Sequence, residues 1–340
     1  MLHLLHTLYI TEPDVSLRLD GQALHVTHAD GRKDHIPLHL LEQIVTFSYG
    51  TVTQHVMDAC AERGIGLSFH TQNGRFRFRI QGEVRGNVHL RQRQYALPAE
   101  ERFHLAASVL KGKLRNSRVL LSRHRRNHPT TGAGRLEAAE NTLSQIEASL
   151  ETLQSEEALR SAEGQAARVY FSVFQDLILS DDRAFHFQGR NRRPPKDPCN
   201  AMLSFAYTLL TNDCIQALES AGLGPYVGYF HGTRSGKPSL ALDLVEEFRP
   251  VMADRTVLHL INLKMLTSDL FAATDDGGIY LNDTVRAVFL REWNQMKHRE
   301  IQIGCTDQPV PMGLMPYLQA QQLSRYLRGE QANFTTIDRR

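Results

Sequence analysis

The segment NGRFRFRI, residues 73–80, marks the place where the chain changes from strands to helices. Asn-Gly pairs favour a tight hairpin turn, and the apolar residues after this pair alternate with arginines, which is the period of a strand. We therefore predict a strand with an apolar and a basic face, formed by Phe76, Phe78 and Ile80 on one side and by Arg75, Arg77 and Arg79 on the other. From about Asn87 onward, apolar residues instead recur with the period of a helix.

The residues before this point predict a small β-rich domain, residues 1–86. Apolar residues alternate with polar ones along 15–19 and 24–26, and the Asp-Gly pairs at 20–21 and 30–31 are hairpin turns. Two turns so close together indicate a meander. Two further strands are expected at residues 44–49 and 65–70, with a short helix between them at about residues 52–63.

The residues after this point predict a larger, all-α domain, residues 87–340, so that the whole chain is α+β. Its first long helix should cover about residues 99–124. Apolar residues recur every seven positions along 136–153, which favours a helix packed on its own domain over a dimer zipper, because fewer than three heptads rarely associate alone. Two further helix starts are expected, one capped by Asp197 and followed by Pro198, and one capped by Ser239 that Pro250 ends or kinks.

The composition, with 41% hydrophobic and 22% charged residues in a chain of 340, is that of a soluble globular protein. No apolar run reaches the length of a membrane-spanning helix, and the opening MLHLLHTLYI lacks the basic flank of a secretory signal. We therefore expect a cytoplasmic protein without a membrane partner. The four cysteines form no close pair in the sequence, and we expect them to be reduced and buried, with Cys199 in the core.

Basic residues are concentrated in two segments, 75–126 and 183–196, although the formal net charge is only +2. A single run of charge is usually an ordinary solvated face. Three patches in one chain, two of which flank Glu163, favour a polyanion bound through its phosphates.

One group of residues could bind a metal ion. Asp243 and Glu246 are three positions apart and project from one side of a helix, and His231 on the preceding loop could complete a site with Glu163. Carboxylates at this spacing are most often solvated helix surface, and a lone histidine most often packs or caps. This helix, however, is unusually apolar around its acids, and a half-buried carboxylate needs a partner such as a divalent cation.

Several blocks of sequence stand in a specific order and spacing. They are Thr7-Leu8-Tyr9, RSAEG at 160–164, residues 187–195 leading into DPCNAMLSFAY at 197–207, GLGPYVGYFH at 222–231 and SLALDLVEEFRP at 239–250. Together they resemble the CRISPR-associated adaptation endonucleases, the first of the two proteins that nearly all CRISPR systems share. The resemblance covers nearly the whole chain.

The resemblance implies a set of site residues. In that family one divalent metal is bound by a Glu that precedes Gly, the His that ends the Gly-Pro block and an acid in the last helix, which here are Glu163, His231 and Glu246. Glu246 stands where some relatives have Asp. Asp243 matches a second acid that supports the site, with direct ligation left open, and Tyr207 matches a tyrosine near the reacting phosphate. Charge and position alone add four candidates for contacts to DNA phosphates, namely Arg190, Arg192, Arg193 and Arg249.

The resemblance also implies a reaction and partners. Family members join the 3′-hydroxyl ends of a short double-stranded DNA fragment to the phosphodiesters at a CRISPR repeat by direct transesterification, here in a type I system. Mixed oxygen and nitrogen ligation suits Mn²⁺ and leaves Mg²⁺ possible. The family forms homodimers, in part through the sheet domain, which assemble with a small ferredoxin-like companion protein. Two other hypotheses stay open here: a nuclease or resolvase acting on branched DNA in repair, and a catalytically silent DNA-binding scaffold.

Overall fold

Strands occupy the N-terminal part of the protein and helices the remainder, so the α+β architecture is confirmed. The computed structural model describes residues 7–47, 49–71, 76–80, 82, 88–274, 277–304 and 308–337. The predicted Asn-Gly turn at 73–74, Arg75, Asn87 and Cys305 lie outside the described residues. The predicted domain boundary between residues 86 and 87 lies there too, and it stays a prediction.

Within its described residues, the N-terminal part contains two four-stranded sheets, one α-helix and a short 3-10 helix, Leu38–Leu40. The predicted meander is confirmed as antiparallel strands β2 (Ser16–Asp20), β3 (Ala23–Thr27) and β4 (Lys33–Pro37), with β6 (Thr51–Val52) parallel to β2. In the second sheet, β1 (Thr7–Ile10), β5 (Gln43–Thr46) and β7 (Gly66–His70) are parallel, and β8 (Phe76–Ile80) is an antiparallel edge. Helix α1 (Gln54–Arg63) lies between β6 and β7 in the chain, close to the predicted range.

The edge strand β8 alternates as predicted, but only Ile80 of its apolar side packs against the core. Phe76 and Phe78 are 41% and 48% exposed, and Phe78 stacks on Phe69 with ring centroids 4.4 Å apart. On the other side, Arg79 turns inward and pairs with Glu219 of the helical part. This strand therefore contacts the helices through an ion pair and leaves aromatic surface outside.

The helical part consists mainly of helices α2 to α10. Their bounds are α2 (Val88–Tyr95), α3 (Ala99–Asn127), α4 (Ala133–Ser149), α5 (Glu156–Ser172), α6 (Pro198–Ser220), α7 (Ser239–Phe248), α8 (Arg255–Asn262), α9 (Asp283–His298) and α10 (Met315–Leu327). The expectation of an all-α domain is wrong in one detail, because β9 (Glu300–Ile301) pairs with β10 (Val310–Pro311) in a small antiparallel sheet. Within the described ranges, none of the helices is both long and apolar enough to cross a membrane.

The core of the helical part forms around α6, which packs against α7 and α10. Its start is as predicted, because the Asp197 side chain accepts a hydrogen bond from the Asn200 backbone N–H at 2.8 Å and Pro198 occupies the first turn. Cys199 is buried, as are the free thiols Cys60 and Cys214. The heptad positions of α4 are also buried and pack against α3 of the same chain, which confirms the intramolecular alternative.

Helix α7 begins differently from the prediction. Pro238, rather than Ser239, is the N-cap residue, and the Ser239 hydroxyl instead donates to the Gly232 carbonyl at 2.9 Å. The cap prediction is wrong because Ser239 is already the first residue of the helix, and its hydroxyl ties down the loop before the helix. Pro250 lies in a π-helical segment, Arg249–Asp254, which leads into α8, so it kinks the helical path and does not end it.

Candidate metal centre

Three helices and one loop bring the predicted metal ligands together. Glu163 projects from α5, His231 lies on the loop between α6 and α7, and Asp243 and Glu246 project from the buried face of α7. Helix α3 packs against both α5 and α7, and it contributes Lys113 to the same place. The predicted group is thus a cluster of neighbouring side chains, although its members are up to 83 positions apart in the sequence.

Asp243 fixes the loop that carries the histidine. Its Oδ2 accepts hydrogen bonds from the backbone N–H groups of Tyr229 at 2.6 Å and Phe230 at 3.0 Å. Its Oδ1 accepts from the backbone N–H of His231 at 2.7 Å and lies 2.8 Å from the His231 ring Nδ1. The loop wraps so closely that a Cβ on Gly228 would lie 2.8 Å from Asp243 Oδ2, so only glycine fits there. Both oxygens of Asp243 are occupied in orienting the loop.

This geometry sets the tautomer of His231. The ring nitrogen Nδ1 donates its proton to the buried Asp243 carboxylate, so the lone pair is on Nε2. Nε2 lies 3.8 Å from Glu246 Oε1 and faces the remaining members of the cluster. A carboxylate behind a histidine is the usual support for a metal-binding imidazole.

Glu246 is a buried carboxylate surrounded by positive charge. Its side chain is 4% exposed; Oε1 lies 2.9 Å from Arg249 Nη1, and Oε2 lies 2.8 Å from Lys113 Nζ. Burial alone would raise the pKa of Glu246, but the charges of Arg249 and Lys113, with a contribution from His231, lower it from 4.5 to about 2. Glu246 is therefore ionised throughout the physiological pH range.

The Lys113 ammonium lies between the two glutamates of the cluster. Its Nζ lies 2.5 Å from Glu163 Oε1 as well as 2.8 Å from Glu246 Oε2, so it separates the two carboxylates. Within the part of the chain that the structure describes, no three His, Cys, Asp or Glu side chains converge at metal-binding distance.

The donor set nevertheless fits a divalent cation. Among the described residues, no donor makes an aligned hydrogen bond to the buried Glu246 Oε2, despite its ion pair with Lys113. This oxygen, a Glu163 oxygen and the His231 Nε2 together supply the mixed oxygen and nitrogen ligands that Mn²⁺ or Mg²⁺ accepts.

Tyr207 lies behind the site rather than beside the ammonium. Its hydroxyl donates to Asp254 Oδ1 at 2.6 Å, and the hydroxyl of Tyr170 donates to Asp254 Oδ2 at 2.8 Å. Burial raises the pKa of Asp254 to about 6, and the two hydroxyls offset part of that rise. The Tyr207 ring in turn lies under the guanidinium of Arg249, 4.6 Å from the ring centroid. In this arrangement Tyr207 supports the arginine that holds Glu246.

The four candidate arginines divide into two pairs. Arg249 forms an ion pair with Glu246, and Arg190 donates hydrogen bonds to Asn200 at 2.7 Å and Ser204 at 3.0 Å. Both guanidinium groups are therefore bound to side chains of the protein itself. Arg192 and Arg193 are exposed and line a groove of about 920 Å³ that runs between β8, α6 and the loop before α7. Of the four arginines, Arg192 and Arg193 are the two whose charged groups are open to a ligand from solvent.

Sequence reasoning missed the role of Lys113, because it placed this residue only within the basic segment 75–126 that favours a bound polyanion. A signal was present, since Lys113 follows the buried Leu110 by three positions and precedes the buried Asn116 by three, on the inward side of α3. It also missed Asp254, whose two tyrosine partners come from different helices.

Comparison with known proteins gives one consistent result. A family model described as CRISPR associated protein Cas1 matches residues 8–295. A CRISPR-associated endonuclease Cas1 of Rhodospirillum rubrum is 43% identical over 336 residues, which is 97% of each chain. Among solved structures, a casposase bound to integration product has a TM-score of 0.85 at 20% identity, covering 97% of this chain and 92% of that one. The Cas6-RT-Cas1–Cas2 complex has a TM-score of 0.79 at 22% identity, covering 98% of this chain and 36% of that one. At such identities the two structures support the fold alone.

Proposed function

The chain belongs to the Cas1 family of CRISPR-associated proteins, and from that premise we propose that it is a metal-dependent DNA endonuclease and integrase of CRISPR adaptation. Its reaction would be the insertion of short DNA fragments into a CRISPR repeat by transesterification from their 3′-hydroxyl ends. The type I assignment rests on the resemblance alone. The protein would act in the cytoplasm.

One observation carries the proposal. The two carboxylates of Glu163 and Glu246 both contact the Lys113 ammonium, which lies between them. The ring nitrogen Nε2 of His231 lies 3.8 Å from Glu246 Oε1. We propose Glu163, His231 and Glu246 as the ligands of one Mn²⁺ or Mg²⁺ ion. Asp243 would orient His231 without binding the metal, because both of its oxygens are already occupied.

The proposed chemistry needs little else from the protein. A bound divalent cation would polarise the attacked phosphate or lower the pKa of the attacking 3′-hydroxyl. Asp243 keeps the proton on Nδ1 of His231, and Arg249 fixes the orientation of Glu246. Tyr207 supports Arg249 through its ring, and we propose that it also lies near the reacting phosphate. Direct transesterification requires no covalent enzyme intermediate.

The surface beside Glu163 supports the approach of a DNA strand. Gly164 lies inside α5, where glycine costs about 1 kcal/mol relative to alanine, yet a Cβ there would meet nothing within 4 Å. Packing within the chain therefore gives no reason for the glycine, whereas the close approach of a bulky ligand would. Arg192 and Arg193 would contact the phosphates of double-stranded DNA along the groove.

Two protein partners complete the proposal. Exposed aromatic side chains on the sheet part, Tyr49, Phe76 and Phe78, are 68%, 41% and 48% exposed and support a homodimer formed in part through this region. The structurally similar Cas6-RT-Cas1–Cas2 complex supports a second Cas protein as partner. We propose that this partner is a small ferredoxin-like companion.

The test is strand transfer of a labelled duplex with free 3′-hydroxyl ends into a repeat-bearing plasmid, with Mn²⁺ and the companion protein. Glu163→Gln and His231→Ala should abolish the joined product, while their thermal unfolding stays close to that of the wild type. Glu157→Gln is the matched control, because Glu157 is an exposed glutamate on the same helix.

The substrate distinguishes the remaining hypotheses. Cleavage of branched DNA without joining to the repeat would favour the repair nuclease. DNA binding without either reaction would favour the silent scaffold, and either result would overturn the proposal.

A further inference from the structure

Lys113 differs from the other basic side chains of α3 in the direction it takes. Lys111 reaches Glu151 at the surface, where the two side chains are 35% and 74% exposed. Lys113 is 12% exposed and places its ammonium between Glu163 and Glu246. It is therefore an internal cation at the position where the proposed function puts a metal ion.

The charges around Glu246 leave room for one ammonium or one divalent ion, but not for both. Glu163, Glu246 and Asp243 supply three negative charges, and Lys113 and Arg249 supply two positive ones. As a metal ligand, His231 would add no charge, because only a neutral imidazole binds a metal ion. With a divalent cation between the two glutamates, an ammonium at its present distances would be within a few ångströms of a like charge, which is strongly unfavourable in a low-dielectric site. The lysine has a flexible four-carbon stem, so its ammonium can move to the open side of the cluster.

We propose that Lys113 couples metal binding to DNA binding, an inference that rests on the proposed function. Without metal, its ammonium neutralises Glu163 and Glu246; when the cation binds, the ammonium is displaced and pairs with a DNA phosphate. The metal-loaded site would then carry one net positive charge, and a phosphodiester would neutralise it. Lys113 thereby weakens metal binding in the absence of DNA and strengthens it in the presence of DNA, and the coupling is reciprocal.

The coupling is measured by titrating the full-length protein with Mn²⁺ and following the free ion by electron paramagnetic resonance. Each titration is done with and without a duplex that has 3′-dideoxy ends, which prevents strand transfer, and a titration of the duplex alone is subtracted. In Lys113→Met we expect Mn²⁺ to bind at least about tenfold more tightly than in the wild type when DNA is absent. The tightening that DNA causes in the wild type should be smaller in the variant.

Lys111→Met is the matched control, because it removes the same charge two positions away and should behave like the wild type. If circular dichroism shows that Lys113→Met is unfolded, Lys113→Gln replaces it, since a polar amide can still hydrogen-bond to the carboxylates. Equal or weaker Mn²⁺ binding by the Lys113 variant without DNA would overturn the coupling.

The same titration separates this inference from the proposed function. If the wild type binds no Mn²⁺, or if Glu163→Gln binds it as well as the wild type, the metal site itself is wrong. If Glu163→Gln loses the ion while Lys113→Met matches the wild type, only the coupling is wrong.

Discussion

Lys297 and Lys113 both lie largely shielded from solvent beside carboxylates, and they differ in how many negative charges they face. Lys297, 6% exposed, lies 3.1 Å from Asp213 Oδ1 where β1 meets the helices. Burial raises the pKa of the nearby Glu42 to about 7, so this second acid is only about half ionised at neutral pH. Lys113 faces two glutamates, and the pKa of Glu246 is lowered to about 2.

The difference indicates which lysine can be replaced by another cation. A lysine matched to one carboxylate completes an ion pair, and its removal leaves a buried charge. A lysine shared by two ionised carboxylates, with an imidazole nitrogen facing them, occupies a place that a divalent ion could take. The Lys297 pair is thus expected to stabilise the fold, and the Lys113 cluster to bind and exchange ions.

Removing Lys297 should have the largest effect on stability. Lys297→Met leaves Asp213 buried without its cation, since Asp213 Oδ2 already lacks a hydrogen-bond partner among the described residues. We expect a loss of about 3–5 kcal/mol in the free energy of unfolding, measured by urea denaturation. The exposed Lys33→Met is the control. Mn²⁺ affinity of the folded variant should not change, and a large change would contradict the division between the two lysines.

Asp243→Asn should have the next largest effect, and it acts on the metal site. The Asn side chain cannot accept all four hydrogen bonds that the carboxylate accepts from the loop and from the ring of His231. We expect Mn²⁺ affinity to fall roughly 10- to 100-fold, as for other supporting residues behind a metal-binding histidine. Calorimetric titration with Mn²⁺ measures this. Unchanged affinity would mean that Asp243 does not set the tautomer of His231.

Much of this arrangement could be predicted from the sequence because its causes are local. The meander follows from two Asp-Gly turns, and the start of α6 follows from Asp197 and Pro198. The proposed ligands were predicted from sequence blocks, and the structure brings Glu163, His231 and Glu246 into one cluster.

What the sequence did not predict depends on contacts between distant segments. Lys113 belongs to a helix with basic residues on several sides, and only the packing of α5 and α7 against α3 turns it inward. Ser239 is a residue type that often caps helices, but here it is the first residue inside the helix and its hydroxyl donates to the Gly232 carbonyl. The exposure of Phe76 follows from the position of β8 at a sheet edge, which periodicity alone does not reveal.

Glu247 extends this contrast through a pH-dependence of stability, because it is a buried acid that faces no cation among the described residues. It accepts a hydrogen bond from the backbone N–H of Ile337 at 2.8 Å, and burial raises its pKa from 4.5 to about 8. Between these values the folded chain holds a proton that the unfolded chain has lost, so stability should fall as pH rises. Glu247→Gln should remove a slope of at most about 1.4 kcal/mol per pH unit, measured by urea denaturation from pH 5 to 8.

For the neighbouring Glu246, the contribution to stability changes with pH in the opposite direction. Its pKa is lowered from 4.5 to about 2, so its contribution to stability is complete above pH 4.5 and is lost only as the pH falls toward 2. Glu42 and Asp254 also titrate between pH 5 and 8, but they do so in both proteins. The difference in slope between the wild type and Glu247→Gln therefore reports Glu247 and not Glu246. If Glu247→Gln kept the wild-type slope, a buried acid without a cation would not carry the expected proton.

The smallest effect is expected at the exposed arginines, which lie outside both lysine clusters. Each of Arg192→Gln and Arg193→Gln should weaken DNA binding about fivefold at 0.15 M salt and reduce the slope of log K against log salt by about 0.9, if each arginine releases one counterion. Fluorescence anisotropy with a labelled duplex at several salt concentrations measures both quantities. Arg190→Gln should instead lower stability and leave the slope unchanged, because its guanidinium is bound to Asn200 and Ser204. If the slope instead fell in Arg190→Gln and not in the other two variants, Arg190 rather than Arg192 and Arg193 would contact the DNA phosphates. The DNA would then lie near the residues behind the metal centre and not along the groove.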